Sequence, residues 1–101
     1  MASRLDLQSM LEDLMGNRNV YFQPPSTLNM KYPAIRYELN SIDNTHADNK
    51  VFTQNISYKV TLIDEDPDSE YVGKLSKLPK CAFNTSYPSD GLNHWVFNLY
   101  F

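Results

Sequence analysis

The sequence predicts an α+β domain, with two helices packed on one face of a mostly antiparallel sheet of four to five strands, in the order α-β-β-β-α-β-β. Three observations carry this prediction. Apolar residues recur at helical spacing in two short segments, and they alternate with polar ones in several others. The length of 101 residues, with 42% hydrophobic and 21% charged residues, fits one domain with one modest core and excludes wholesale disorder.

The first helix is expected over residues 3–15, where Leu7, Met10, Leu11 and Leu14 form the apolar stripe and Asp6, Glu12 and Asp13 take other faces. Ser3 is placed to cap it and Gly16 to stop it. A short apolar run, Val20–Phe22, is ended by Pro24 and Pro25. From Tyr32 the pattern alternates, with Ile35, Tyr37 and Leu39 inward and Arg36 and Glu38 outward. Alternation resumes from Ile56 to Leu62. Residues 40–50 between the two strands are rich in Asn and Asp and read as an unusually long hairpin loop.

A second helix is expected to start at Asp66, with Pro67 in its first position and the neighbouring carboxylates at the positive end of its dipole. Tyr71, Val72, Leu75 and Leu78 form its stripe, and Pro79 ends it. The last third reads as a hairpin that turns at Pro88–Gly91. Its closing strand places Trp95, Phe97, Leu99 and Phe101 on one face and His94, Val96, Asn98 and Tyr100 on the other. A strand apolar on both faces is either covered twice or offers one face to a partner.

The net charge of −3 comes with singly scattered basic residues, which disfavours specific nucleic-acid binding, since that needs clustered Lys and Arg. Cys81 is the sole cysteine, so no intramolecular disulfide or CxxC metal pair exists, in keeping with a reducing cytoplasm. No apolar run approaches membrane-spanning length, and the opening residues lack a signal peptide's apolar stretch, so no membrane association is expected.

The search for chemistry yields expectations of absence: no catalytic residues, no metal site and no cofactor. Cys81 opens an alternating strand, where a cysteine behaves as a small hydrophobe. A Cys81–His94 pair across the final hairpin lacks an orienting third group. The acidic run from Asp64 to Glu70 has Pro67 where a calcium loop needs freedom, and no glycine for the sharp turn. Gly16, Gly73 and Gly91 stand alone, so no phosphate-cradling loop can be built.

Two interaction surfaces remain. One is the 40–50 segment, with Ile42, Asp43, His46, Asp48 and Lys50, as an arm that orders against a neighbouring subunit. The other is the outer face of the last strand, with Val96 and Tyr100. The thirteen aromatic residues in so short a chain supply contact area for a core and for interfaces alike.

The ordered features resemble a small family of tailed-bacteriophage head–tail connection proteins, the tail-terminator or tail-completion group. The resemblance runs through RLDLQSMLEDLMG, NRNVYFQPPSTLNMKYPAIRYEL, YKVTLIDEDPDSEYVGKLSKLP and CAFNTSYPSDGLNHWVFNLYF, which together cover nearly the whole chain. It implies a structural virion protein, made in the host cytoplasm. Such a protein forms a homo-oligomeric ring, commonly hexameric, that caps the tail tube and meets the neck proteins, with DNA passing through. The family brings no catalytic residues. A reading from another class is a small regulatory protein-binding module, such as a phage-encoded inhibitor of a host protein.

Overall fold

The computed structural model describes residues 4–25, 28–48 and 50–101, without the side chains of 46, 47, 51 and 52. Its elements are α1 (Arg4–Met15), β1 (Val20–Phe22), β2 (Ala34–Ala47), β3 (Lys50–Asp64), α2 (Glu70–Ser76), β4 (Cys81–Ser89) and β5 (Leu92–Tyr100). The five strands form one mixed sheet in the order β1-β2-β3-β5-β4. β1 runs parallel to β2, and the other three pairings are antiparallel. The α+β expectation holds.

Helix α1 buries Leu7, Leu11 and Met15, successive positions four residues apart on one stripe, while Met10 and Leu14 are partly covered. It stops at Gly16, whose φ of 72° suits a residue without Cβ and whose N–H donates to the Glu12 carbonyl at 2.9 Å. Ser3, its expected cap, lies outside the described residues. Leu75 of α2 joins the same core, together with Ile35, Tyr37, Val60, Leu62, Phe97 and Leu99 of the sheet. Those sheet residues share one face, because Val60 lies opposite both Tyr37 and Phe97 in register.

The second helix begins later than the sequence predicts, at Glu70 rather than at Asp66 and Pro67. The reason is local competition. Asp64 Oδ1 accepts the Asp66 N–H at 3.1 Å and Asp66 Oδ1 accepts the Asp68 N–H at 2.9 Å, so these carboxylates build successive turns instead of capping a helix. Ser69 takes the cap position, but its hydroxyl makes no capping bond. The β4–β5 turn follows its sequence closely. Ser89 pairs with Leu92, and Asp90 and Gly91 both have positive φ, 53° and 75°, as a two-residue type I′ hairpin requires.

Residues 40–50 are the clearest correction. Their described residues are strand up to a turn, not a long loop: β2 runs to Ala47, Asp48 turns with φ 53°, and β3 starts at Lys50. At roughly 3.3 Å per residue, the fifteen residues of β3 span about 50 Å, which matches the 51 Å long axis of the molecule. The radius of gyration, 14.7 Å, exceeds the roughly 13 Å usual for a compact chain of this size. Both values follow from a two-stranded arm that continues past the core. Leu39, expected inward, is 44% exposed: it keeps the parity of Ile35 and Tyr37 opposite Tyr58 but stands at the arm's base, outside the buried cluster.

Tyr37 ties α1 to the sheet. Its ring is fully buried, its hydroxyl donates to Gln8 Oε1 at 2.6 Å, and it accepts from Arg4 Nη1 at 3.1 Å. Gln8 Nε2 donates in turn to the Val20 carbonyl at 2.9 Å, and the Arg4 guanidinium lies 4.5 Å over the Phe22 ring. Burial pushes the phenol's pKa up, and the neighbouring Arg4 acts in the opposite sense. A raised folded-state pKa makes the neutral phenol's contribution complete below the unfolded value and lost as pH rises through the folded one. Replacing Tyr37→Phe is expected to lower unfolding free energy by about 1–2 kcal/mol in urea titrations at pH 7. The same change should reduce the loss of wild-type stability as pH rises above about 10.

Candidate functional site

The sheet uses its two faces differently. One face is sealed by the core. On the other, Ala34, Thr61, Ile63 and Val96 are buried, and around them Arg36, Glu38, Lys59, Tyr32, Tyr87 and His94 line a cavity of about 390 Å³. Lys59 and Glu38 meet there at 3.9 Å, both substantially exposed, which contributes at most about 1 kcal/mol. Tyr87 stacks on His94 with centroids 4.8 Å apart. The His94 Nδ1 atom is buried without a partner.

The residues named from sequence as chemical candidates are not brought together. Cys81 pairs with Leu99 and His94 with Tyr87, so five strand positions, roughly 16 Å, separate Cys81 from His94 along the hairpin. The two side chains also fall on opposite faces of the sheet, since Leu99 and His94 differ in parity along β5. Burial raises the Cys81 thiol's pKa, which lowers its thiolate fraction at neutral pH. The acidic run is occupied with its own backbone, and among the described residues no group of three His, Cys, Asp or Glu side chains is placed to hold a metal. Among the described residues, no helix is long and apolar enough to cross a membrane.

The interaction candidates fare differently. Ile42 and Asp43 lie on β2 within the arm, Asp48 at its turn and Lys50 at the start of β3, and all four are exposed, Ile42 by 49%. His46 pairs with Val51 near the tip, and its side chain lies outside the described ones. Tyr100 is 45% exposed and sits opposite Ser57, where the arm leaves the core. Val96 is a correction: it is only 2% exposed. β5 is an interior strand, with Val96 beside Thr61 of β3 and Thr85 of β4, and its side chain is buried in the single chain rather than left open on the outer face.

Sequence reasoning found β4 as a strand of the final hairpin but not its place as an exposed edge of the sheet. From Ala82 to Ser89 the strand is exposed throughout, including Phe83 at 55% and Tyr87 at 46%. It pairs with β5 on one side, and among the described residues no strand flanks the other. The missed signal was present: Cys81–Ser89 contains no charged residue. Charge is one of the common protections of an edge strand, beside the proline and bulge that β4 does carry at Pro88 and between Phe83 and Thr85.

Comparison with protein-family models, with curated proteins and with solved structures finds no match to this chain.

The Cys81 environment gives a direct chemical test. At pH 7 the native thiol should react with Ellman's reagent several-fold more slowly than free glutathione and accelerate as pH rises. A native rate equal to or above that of glutathione would contradict the burial.

Proposed function

We propose that this chain is a structural assembly subunit without catalytic activity, and specifically a tail-terminator or tail-completion protein of a tailed-bacteriophage virion. In this reading its copies form a hexameric ring on the tail tube and join it to the neck. The observation that carries the assembly reading is the β2–β3 arm. A two-stranded hairpin standing beyond its core is marginally stable in water and does little for the fold that bears it. Here it displays Ile42 among Asp43, Asn44 and Thr45, all exposed, and thus offers contact surface and backbone groups at a distance from the core. The choice of a tail terminator rests on the resemblance to that family drawn from the sequence along nearly the whole chain.

The reading needs no reaction centre. Cys81 is held apart from His94, and the Asp64–Asp68 carboxylates serve local turns. Ring formation calls for two different, complementary surfaces on each copy, because head-to-tail contacts close only at a fixed rotation.

The test replaces residues 44–54 by Asn-Gly, which closes the arm next to the Asp43–Asn55 pair. The truncated chain is expected to keep its cooperative thermal unfolding, since no residue of the buried cluster is removed. It is expected to be missing from purified particles and to leave tails unjoined to heads by electron microscopy. Full incorporation of the truncated chain would contradict the role given to the arm. A wild-type chain absent from virions and bound to a host protein would favour the regulatory module instead.

A further inference from the structure

The sheet ends in two unlike free edges. On one side is β4, nine residues long. On the other, β1 covers β2 only from Ile35 to Tyr37, with Gln23 adding bonds to Tyr37 and Leu39. From Ser41 to Ala47, β2 pairs with β3 alone, and among the described residues no strand flanks its other side. Each edge leaves a row of backbone N–H and C=O groups for water or for another strand.

Protection is uneven along these edges. β4 carries no Lys, Arg, Asp or Glu, and its deviations from a flat edge are the register shift between Phe83 and Thr85 and Pro88 near its end. Its exposed side chains include Phe83, Thr85 and Tyr87, residue types suited to pairing with a further strand. The Ser41–Ala47 stretch is nearly as neutral, with Asp43 its one acidic residue.

We propose that β4 of one copy pairs edge to edge with the Ser41–Ala47 stretch of β2 in the arm of the next, so that the sheet continues from subunit to subunit. The inference rests on the reading of the chain as an assembly subunit and names its interface. Three features select a second copy as the occupant. The unpaired groups of β4 call for a strand, and the same chain carries a free strand edge of suitable length: seven residues, about 23 Å, against nine, about 30 Å. The two edges lie on opposite sides of one sheet, so joining them repeats in one sense from copy to copy, as a ring requires. The arm also receives support outside its own core, which pairing of β4 with a second β4 would not give it.

Two variants, each spoiling one edge, make the test. Thr85→Lys places a charge on exposed β4, and the 44–54 replacement removes most of the arm edge; thermal unfolding confirms that both are folded. Thr45→Pro, which removes one arm N–H, is the second arm variant should truncation harm folding. Light scattering over a dilution series is expected to show head-to-tail association of the wild-type chain, weakened by about tenfold or more in each variant. Thr85→Val, neutral and a good strand former, should associate as wild type.

Mixing Thr85→Lys with an arm variant is expected to restore one interface. The first contributes an intact arm and the second an intact β4, so the mixture stops at a one-to-one dimer. A mixture that stays monomeric, a wild-type chain that stays monomeric to millimolar concentration, or variants that associate as wild type would each overturn the edge pairing. The presence of the chain in virions is scored separately. Its absence there overturns the assembly role, whereas failure of the mixture overturns only the edge pairing.

Discussion

The antiparallel pairing of β2 with β3 is the constraint on which the rest of the molecule depends. β3 is the central strand and the longest element, with β2 on one side and β5 on the other. The lower part of the pair places Ile35, Tyr37, Val60 and Leu62 on one face, against which Leu7 and Leu11 of α1 and Leu75 of α2 are buried. Among the described residues no helix packs on Ile42–Thr45, and this upper part becomes the arm. One continuous ladder therefore serves two purposes. Below Leu39 and Tyr58 it organises the hydrophobic core, and beyond them it carries polar side chains and free backbone edges away from it.

The register shift at Leu39 and Ser41 marks the change between these regimes. On the core side, side chains obey strict alternation, because burial of one face makes any slip costly. Across the shift, Asn40 Nδ2 donates to Ser57 Oγ at 3.1 Å, and the Ser41 and Ser57 hydroxyls meet at 2.6 Å. These polar contacts hold the junction where apolar packing stops. Tyr100 ends β5 at the same level, and Phe101 donates its N–H to the Ile56 carbonyl at 3.1 Å. The arm thus leaves a well-tied base.

Much of the fold was legible because burial writes itself into the sequence. The stripe of Leu7 and Leu11, the alternation of Ile35 and Tyr37 and of Val60 and Leu62, and the Asp90–Gly91 turn each carry a periodicity or a backbone requirement that a single chain displays. The arm was illegible for the same reason. A strand solvated on both faces, as Ile42–Thr45 are, has no apolar period, so Ser41–Ala47 reads as polar loop although it is paired strand. The late start of α2 reflects Asp64 and Asp66 bonding their own backbone, a competition that helix-start signals do not reveal. The burial of Val96 was open in the sequence because an interior strand and an edge strand share one pattern, and only the order β3-β5-β4 separates them. Of the candidate site, Ile42, Asp43, Asp48, Lys50 and Tyr100 lie on exposed surface, whereas the neutral edge of β4 shows its meaning only once β4 is known to be outermost.

The central claim is that the β2–β3 arm stands outside the cooperative core and is built for a partner. Native-state amide hydrogen exchange of the monomeric chain tests it most directly. Amides of residues 58–63 in β3 should exchange only through global unfolding, with protection that falls in step with denaturant-measured stability. Amides of residues 41–45 and 53–55 should exchange orders of magnitude faster, through local opening that leaves the core intact. Uniform protection along the whole of β3, with the arm opening only when the core does, would contradict the account.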